Sequence, residues 1–119
     1  MAALNSLGGL FQDQGKYSEA LPVFERALRI EEKTLGQDHP DIATSLNNLA
    51  TLNFYLGANE MAESLYIRSL EIYENAYGKE HPFVATVLVN MVEFYEKTGR
   101  RGEAGIFAER LKQIQSRYQ

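Results

Sequence analysis

Apolar residues recur along this chain at helical spacing, in stripes that come in pairs. Ile42, Leu46, Leu49, Ala50 and Leu56 mark one stripe near a 3.6-residue period. After a break at Gly57-Ala58-Asn59 a second stripe follows, with Ala62, Leu65, Tyr66, Ser69, Leu70 and Tyr73 along one helical face. The pair returns as Val84, Val87, Leu88, Met91, Val92 and Tyr95, then Ala104, Phe107, Ala108, Leu111 and Ile114. No useful length alternates with period two. The pattern predicts an all-α chain of about six helices.

The pairs are copies of one unit, 42 residues apart. Gly15, Gly57 and Gly99 fall in register, as do Ala20, Ala62 and Ala104, Leu7, Leu49 and Met91, and Arg26, Arg68 and Arg110. The joints repeat too: Leu35-Gly36-Gln37-Asp38-His39-Pro40 answers Tyr77-Gly78-Lys79-Glu80-His81-Pro82. A fixed period of this length predicts stacked two-helix units in one domain: residues 1–36, 39–78 and 81–119. The third unit is expected to close the stack, because Lys112, Gln113, Gln115, Ser116 and Arg117 suit a face turned to water.

Each boundary has a physical cause. Pro40 and Pro82 suit a helix's first turn, where the missing N–H costs nothing. His39 or Asp38, and His81 or Glu80, are the cap candidates. Gly15, Gly57 and Gly99 are expected to end the first helix of each unit at positive φ, and Gly36 and Gly78 the second. Ala20, Ala62 and Ala104, facing Gly8, Ala50 and Val92, mark where paired axes cross closely. Gly9 and Gly105 cost roughly 1 kcal/mol each inside helices, and packing beside Ala104 is one account of Gly105.

Composition narrows the function. A net charge of −4 and a pI near 5.2 disfavour nucleic acid. With no cysteine, thiolate metal sites and a Cys nucleophile are excluded. No apolar run reaches the roughly 18 residues a bilayer demands. The two histidines share one joint context, which points to helix starts rather than metal or base chemistry. Glu31-Glu32 and Glu93/Glu96 look like solvated faces, and no phosphate-binding glycine run appears. No enzyme activity and no cofactor is expected.

Leu4, Leu7, Gly8, Gly15, Tyr17, Ala20, Phe24 and Ala27 in unit one, with Leu46, Leu49, Ala50, Gly57, Ala62, Tyr66 and Ser69 in unit two, resemble the tetratricopeptide repeat pattern. The 42-residue length, the Gly-x-x-His-Pro joint and Leu46-Asn47-Asn48-Leu49-Ala50 resemble its kinesin-light-chain type, also found in bacterial multi-repeat proteins. The resemblance covers nearly the whole chain. Unit three departs from it at Arg101, Ala108 and Leu111. It implies a short right-handed α-solenoid that acts as a scaffold, its first helices lining a concave wall.

On that wall the resemblance puts Asn5, Gln12, Thr44, Asn47, Asn48, Thr51, Phe54, Tyr55, Thr86, Asn90 and Glu93. Stacked helices lie roughly 8–10 Å apart and an extended chain advances roughly 3.3 Å per residue. Asparagines on successive helices would therefore meet a bound peptide about every third residue, each amide both donating and accepting. Groove asparagines of kinesin-light-chain repeats are implicated in holding linear motifs, which supports this. An inner-wall Asn could equally bond a neighbouring helix or face water, Phe54 and Tyr55 could pack between units, and Glu93 could be a solvated face. Chaperone-tail binders of the family carry Lys or Arg where this chain has Asn5, Thr86 and Asn90, which disfavours that subtype. The expected partner is a protein or peptide, without nucleic acid or membrane insertion. The chain itself would be monomeric or weakly self-associating through an edge where Leu4, Leu10 and Phe11 are open. A regulatory segment of a larger signalling protein is the remaining alternative.

Overall fold

The computed structural model describes residues 2–118, with side chains described for residues 7–118. Among them are six helices and no strand: α1 (Ala2–Asp13), α2 (Tyr17–Leu35), α3 (Pro40–Tyr55), α4 (Asn59–Tyr77), α5 (Pro82–Lys97) and α6 (Arg101–Arg117). None is long and apolar enough to cross a membrane.

The helix ends follow from the residues at them. His39 and His81 cap α3 and α5, each Nδ1 accepting the backbone N–H two residues on, at 3.1 Å from Asp41 and from Phe83. Of the cap candidates, the histidines hold the position at both joints. Gly15, Gly36, Gly57, Gly78 and Gly99 all take positive φ, between 76° and 89°. Within the units a single short link serves two helices. The Gly57 N–H donates to Phe54 O at 3.0 Å and Ala58 N–H to Asn53 O at 2.8 Å, which satisfies the last carbonyls of α3. Ala58 is also the residue before α4, and Lys16 and Arg100 repeat the arrangement with Phe11 O and Tyr95 O, each at 2.8 Å.

So short a turn makes each unit a helix hairpin, α1 with α2, α3 with α4 and α5 with α6. The hairpins stack, α2 on α3 and α4 on α5. Ala20, Ala62 and Ala104 are buried where the paired helices cross. Opposite them, a Cβ on Gly8 would come within 2.9 Å of the Phe24 ring, so an alanine there would force the ring to shift. Around these points Ile42, Leu46, Leu52, Leu88, Met91 and Phe94 are fully buried, each aliphatic side chain contributing about 1.5–3 kcal/mol.

Two expectations are corrected. Leu56, assigned to a buried stripe, is exposed because it is the residue that closes α3. Gly105 has nothing within 4 Å of where its Cβ would lie, so packing beside Ala104 does not account for it.

Ion pairs between neighbouring hairpins obey the same register as the core. Arg68 donates to Glu32 Oε2 at 3.0 Å, and Arg110, its equivalent, to Glu74, the equivalent of Glu32. The second joint also carries an aromatic cluster. Tyr77 stacks on His81 at 4.5 Å between ring centres, and Phe83 packs on Tyr77 at 5.3 Å and on Tyr73 at 5.6 Å. At the first joint the same positions hold Leu35, His39, Asp41 and Glu31.

Candidate functional site

The faces of α1, α3 and α5 that do not pack against their partners form one wall of the stack, and two hollows open on it. The first, about 420 Å³, is lined by Gly9 and Gln12 of α1, Phe24 and Glu31 of α2, and Asp41, Thr44, Ser45 and Asn48 of α3. The second, about 360 Å³, is lined by Pro40, Asp41 and Thr44 of α3, Tyr73 and Tyr77 of α4, and Phe83 and Thr86 of α5. They adjoin through Asp41 and Thr44.

The hollows are repeat-equivalent. Glu31 and Tyr73, Asp41 and Phe83, and Thr44 and Thr86 are each 42 positions apart. What differs is the chemistry. The first holds two carboxylates, Glu31 buried with its Oε1 accepting from Ser45 Oγ at 2.5 Å, and Asp41 exposed. The second shares Asp41 at its border but has Tyr73, Tyr77 and Phe83 in place of Glu31. Its Tyr73 hydroxyl bonds to Thr44 Oγ1, and burial pushes its phenol above the ordinary value despite that bond.

Most of the expected wall residues lie on this surface in different states. Thr44, Asn48, Thr86 and Glu93 are exposed, and Gln12 is half-buried. Asn47 is buried, and its Oδ1 accepts from Asn90 Nδ2 at 3.1 Å, so these two amides bridge α3 and α5. Thr51 is tied down as well. Its Oγ1 donates to Asn47 O at 3.2 Å and pairs with the Tyr66 hydroxyl at 2.7 Å. Burial raises the Tyr66 phenol to about 12, outweighing the Thr51 bond. Phe54 is half-buried against Phe94, edge to face at 5.3 Å. Tyr55 remains exposed and packs on Tyr17 at 5.1 Å. Glu93 forms an ion pair with Lys97 at 2.7 Å. The Asn5 side chain lies outside the described residues.

Sequence reasoning missed Glu31, Asp41, Tyr73 and Phe83 as wall residues. In the sequence Glu31 reads as part of a solvated face, yet it occupies the register of Tyr73, which lies in a buried stripe. That equivalence was the available signal.

A family model for the tetratricopeptide repeat matches residues 1–75 and again 51–117. Among solved structures, BtubC (BKLC) from P. vanneervenii superposes with a TM-score of 0.88 at 28% identity, over 93% of this chain and 44% of that one. A Podosopora anserina putative kinesin light chain with nearly identical TPR-like repeats also superposes with a TM-score of 0.88, at 24% identity, over 99% of this chain and 56% of that one. This chain thus spans about half the length of these solved arrays. Repeats of this kind are in general protein–protein interaction modules. The doubled family match, the six-helix stack and the 42-residue period meet in one conclusion: the chain belongs to the tetratricopeptide repeat family, as an all-α solenoid of the kinesin-light-chain-like type.

Proposed function

We propose that the chain binds an extended segment of a partner protein along the wall of α1, α3 and α5. On this reading a basic side chain enters the first hollow and an aromatic or large apolar one the second. The observation behind it is the repeat-equivalent pair of hollows that share Asp41, one closed by the Glu31 carboxylate, the other by the rings of Tyr73, Tyr77 and Phe83. Each hollow has room for a large side chain with water beside it, and neither is large enough for a folded domain. Helices stacked roughly 8–10 Å apart put the two anchors about three peptide residues from one another. Thr44, Asn48 and Thr86 lie along the path and supply hydroxyl and amide groups for peptide backbone.

The Asn47–Asn90 bridge changes the part assigned to the amides. These two hold the wall together, and Asn48 is the amide placed to meet a ligand. Gln12 and Tyr55 extend the path at its edges.

Fluorescence anisotropy with labelled peptides carrying Lys or Arg three residues from Phe, in both orders, tests this. Replacing the basic residue by Glu should weaken binding at least tenfold, about 1.4 kcal/mol. Thr44→Arg, which crowds both hollows, should weaken it similarly, while its lost bond to Tyr73 costs the fold only about 1 kcal/mol. Equal affinity for the Glu-substituted peptide, or full binding by Thr44→Arg, overturns the reading.

A further inference from the structure

The outward face of α4 differs from those of α2 and α6 at the same two register positions. Met61 is 54% exposed and Ile67 39%. In their places α2 carries Glu19 and Glu25, and α6 carries Glu103 and Glu109. Folding gains little from the exchange, because an apolar side chain left in water removes no surface from it. Between the two lies Ser64, small and exposed. An open hollow of about 660 Å³ adjoins it on the Met61 side, and one of about 530 Å³ on the Ile67 side.

The charges around Ser64 fall on one row. Glu60, Ser64 and Arg68 are four apart and run obliquely across the face, with Met61 on one side of the row and Ile67 on the other. Glu60 is exposed, and among the described residues it forms no ion pair. Arg68 reaches Glu32 Oε2 at 3.0 Å and Gln37 O at 3.2 Å through Nη2 alone, so Nη1 and Nε still have protons to donate.

We propose that this face binds a second copy of the chain, α4 against α4, with the two-fold axis at Ser64. Rows of this spacing pack together when helices cross at roughly 50°, and the small Ser64 suits the crossing point. Turned by the two-fold, the row of one copy brings Glu60 to the partner's Arg68 at one end and Arg68 to the partner's Glu60 at the other. Met61 then packs on the partner's Met61, and Ile67 on the partner's Ile67. The surface is its own complement, as a two-fold contact requires. The other outer helices are denied it, since the same contact would set Glu19 and Glu25 of α2, or Glu103 and Glu109 of α6, against their own copies. One helix from each copy makes a small contact of the transient class. The wall of α1, α3 and α5 stays open in both copies, so the inference is independent of peptide binding.

Sedimentation equilibrium over roughly 10 µM to 1 mM should show a reversible monomer–dimer equilibrium. Glu60→Arg sets arginine against arginine and Arg68→Glu sets acid against acid, so each variant alone should dimerise at least tenfold more weakly while keeping a cooperative melt. Mixed one to one, the two should recover the dimer, because both ends then pair opposite charges. Ser64→Cys gives this cysteine-free chain one thiol at the axis, and mild oxidation should join it to a second copy. Ser116→Cys, exposed on α6, should be joined far less. A chain that stays monomeric at the highest concentration overturns the proposal and leaves the face to a helix of another protein. A dimer untouched by Glu60→Arg, a mixture that stays monomeric, or equal crosslinking of the two cysteine variants overturns it as well.

Discussion

Asn90 donates its side-chain amide to the buried Asn47 at 3.1 Å, joining the first helices of two successive hairpins. Removing the buried Asn47 amide leaves that of the half-buried Asn90 without its partner. Asn47→Ala should cost about 1–2 kcal/mol, seen as a lower urea midpoint at unchanged slope. Asn48→Ala, at an exposed position, should leave the midpoint in place. Equal midpoints for the two variants would deny the bridge its structural part.

Two glycines in helices should respond to alanine with opposite signs. Gly8→Ala drives a methyl to within 2.9 Å of the Phe24 ring and should destabilise by about 1–3 kcal/mol, with Phe24→Leu recovering part of the loss. Gly105→Ala meets open space on a helix and should stabilise by about 0.5–1 kcal/mol. Thermal melts of the two single variants decide it.

The repeated ion pair is a register device more than a source of stability. Glu32 and Arg68 are both partly exposed, so a double-mutant cycle with Glu32→Gln and Arg68→Met should give no more than about 1 kcal/mol of coupling. A coupling several times larger would make the pair a main stabiliser of the hairpin–hairpin contact.

Alkaline and acid stability should be separable. The folded Tyr66 phenol is pushed up to about 12 from 10.0, so the unfolded chain loses its proton first and stability falls as pH rises between those values. Tyr66→Phe should make that limb shallower while losing the Thr51 bond, the remainder coming from Tyr73 and Tyr95, whose phenols burial also raises. Glu63 moves the other way. The hydrogen bond from Arg100 holds its carboxyl below the ordinary 4.5, with the Tyr95 hydroxyl adding to the effect, so its contribution is present above 4.5 and lost as pH falls below. Arg100→Gln should weaken the dependence on the acid side, in proportion to a surface pair only.

Much of the fold was legible because its signals are local. A glycine required at positive φ, a proline at a first turn and apolar residues every 3.6 positions each act within a few residues, so Gly57, Pro40 and the Leu46 stripe announced themselves. The wall was harder, since a side chain's state there depends on the next hairpin. Asn47 and Asn48 are adjacent in sequence, yet one is sealed against Asn90 and the other meets solvent. Glu31 looked like a surface acid until α3 placed Ser45 over it. Leu7 and Leu10 match buried equivalents residue for residue, and only the stack reveals that they are exposed.

The aromatic cluster at the second joint has a mechanical consequence. Tyr73, Tyr77, His81 and Phe83 interlock there, whereas at the first joint the corresponding Glu31, Leu35, His39 and Asp41 have no ring but one imidazole. Bending the stack at the second joint must pull rings apart, whereas at the first it must stretch the Ser45–Glu31 hydrogen bond. A stack whose first joint is held by that bond and whose second is held by rings should change the width of the acidic hollow when the bond is cut, as in Ser45→Ala, and keep the aromatic one in shape. The rigid aromatic end would act as the anvil and the acidic end as the adjustable jaw.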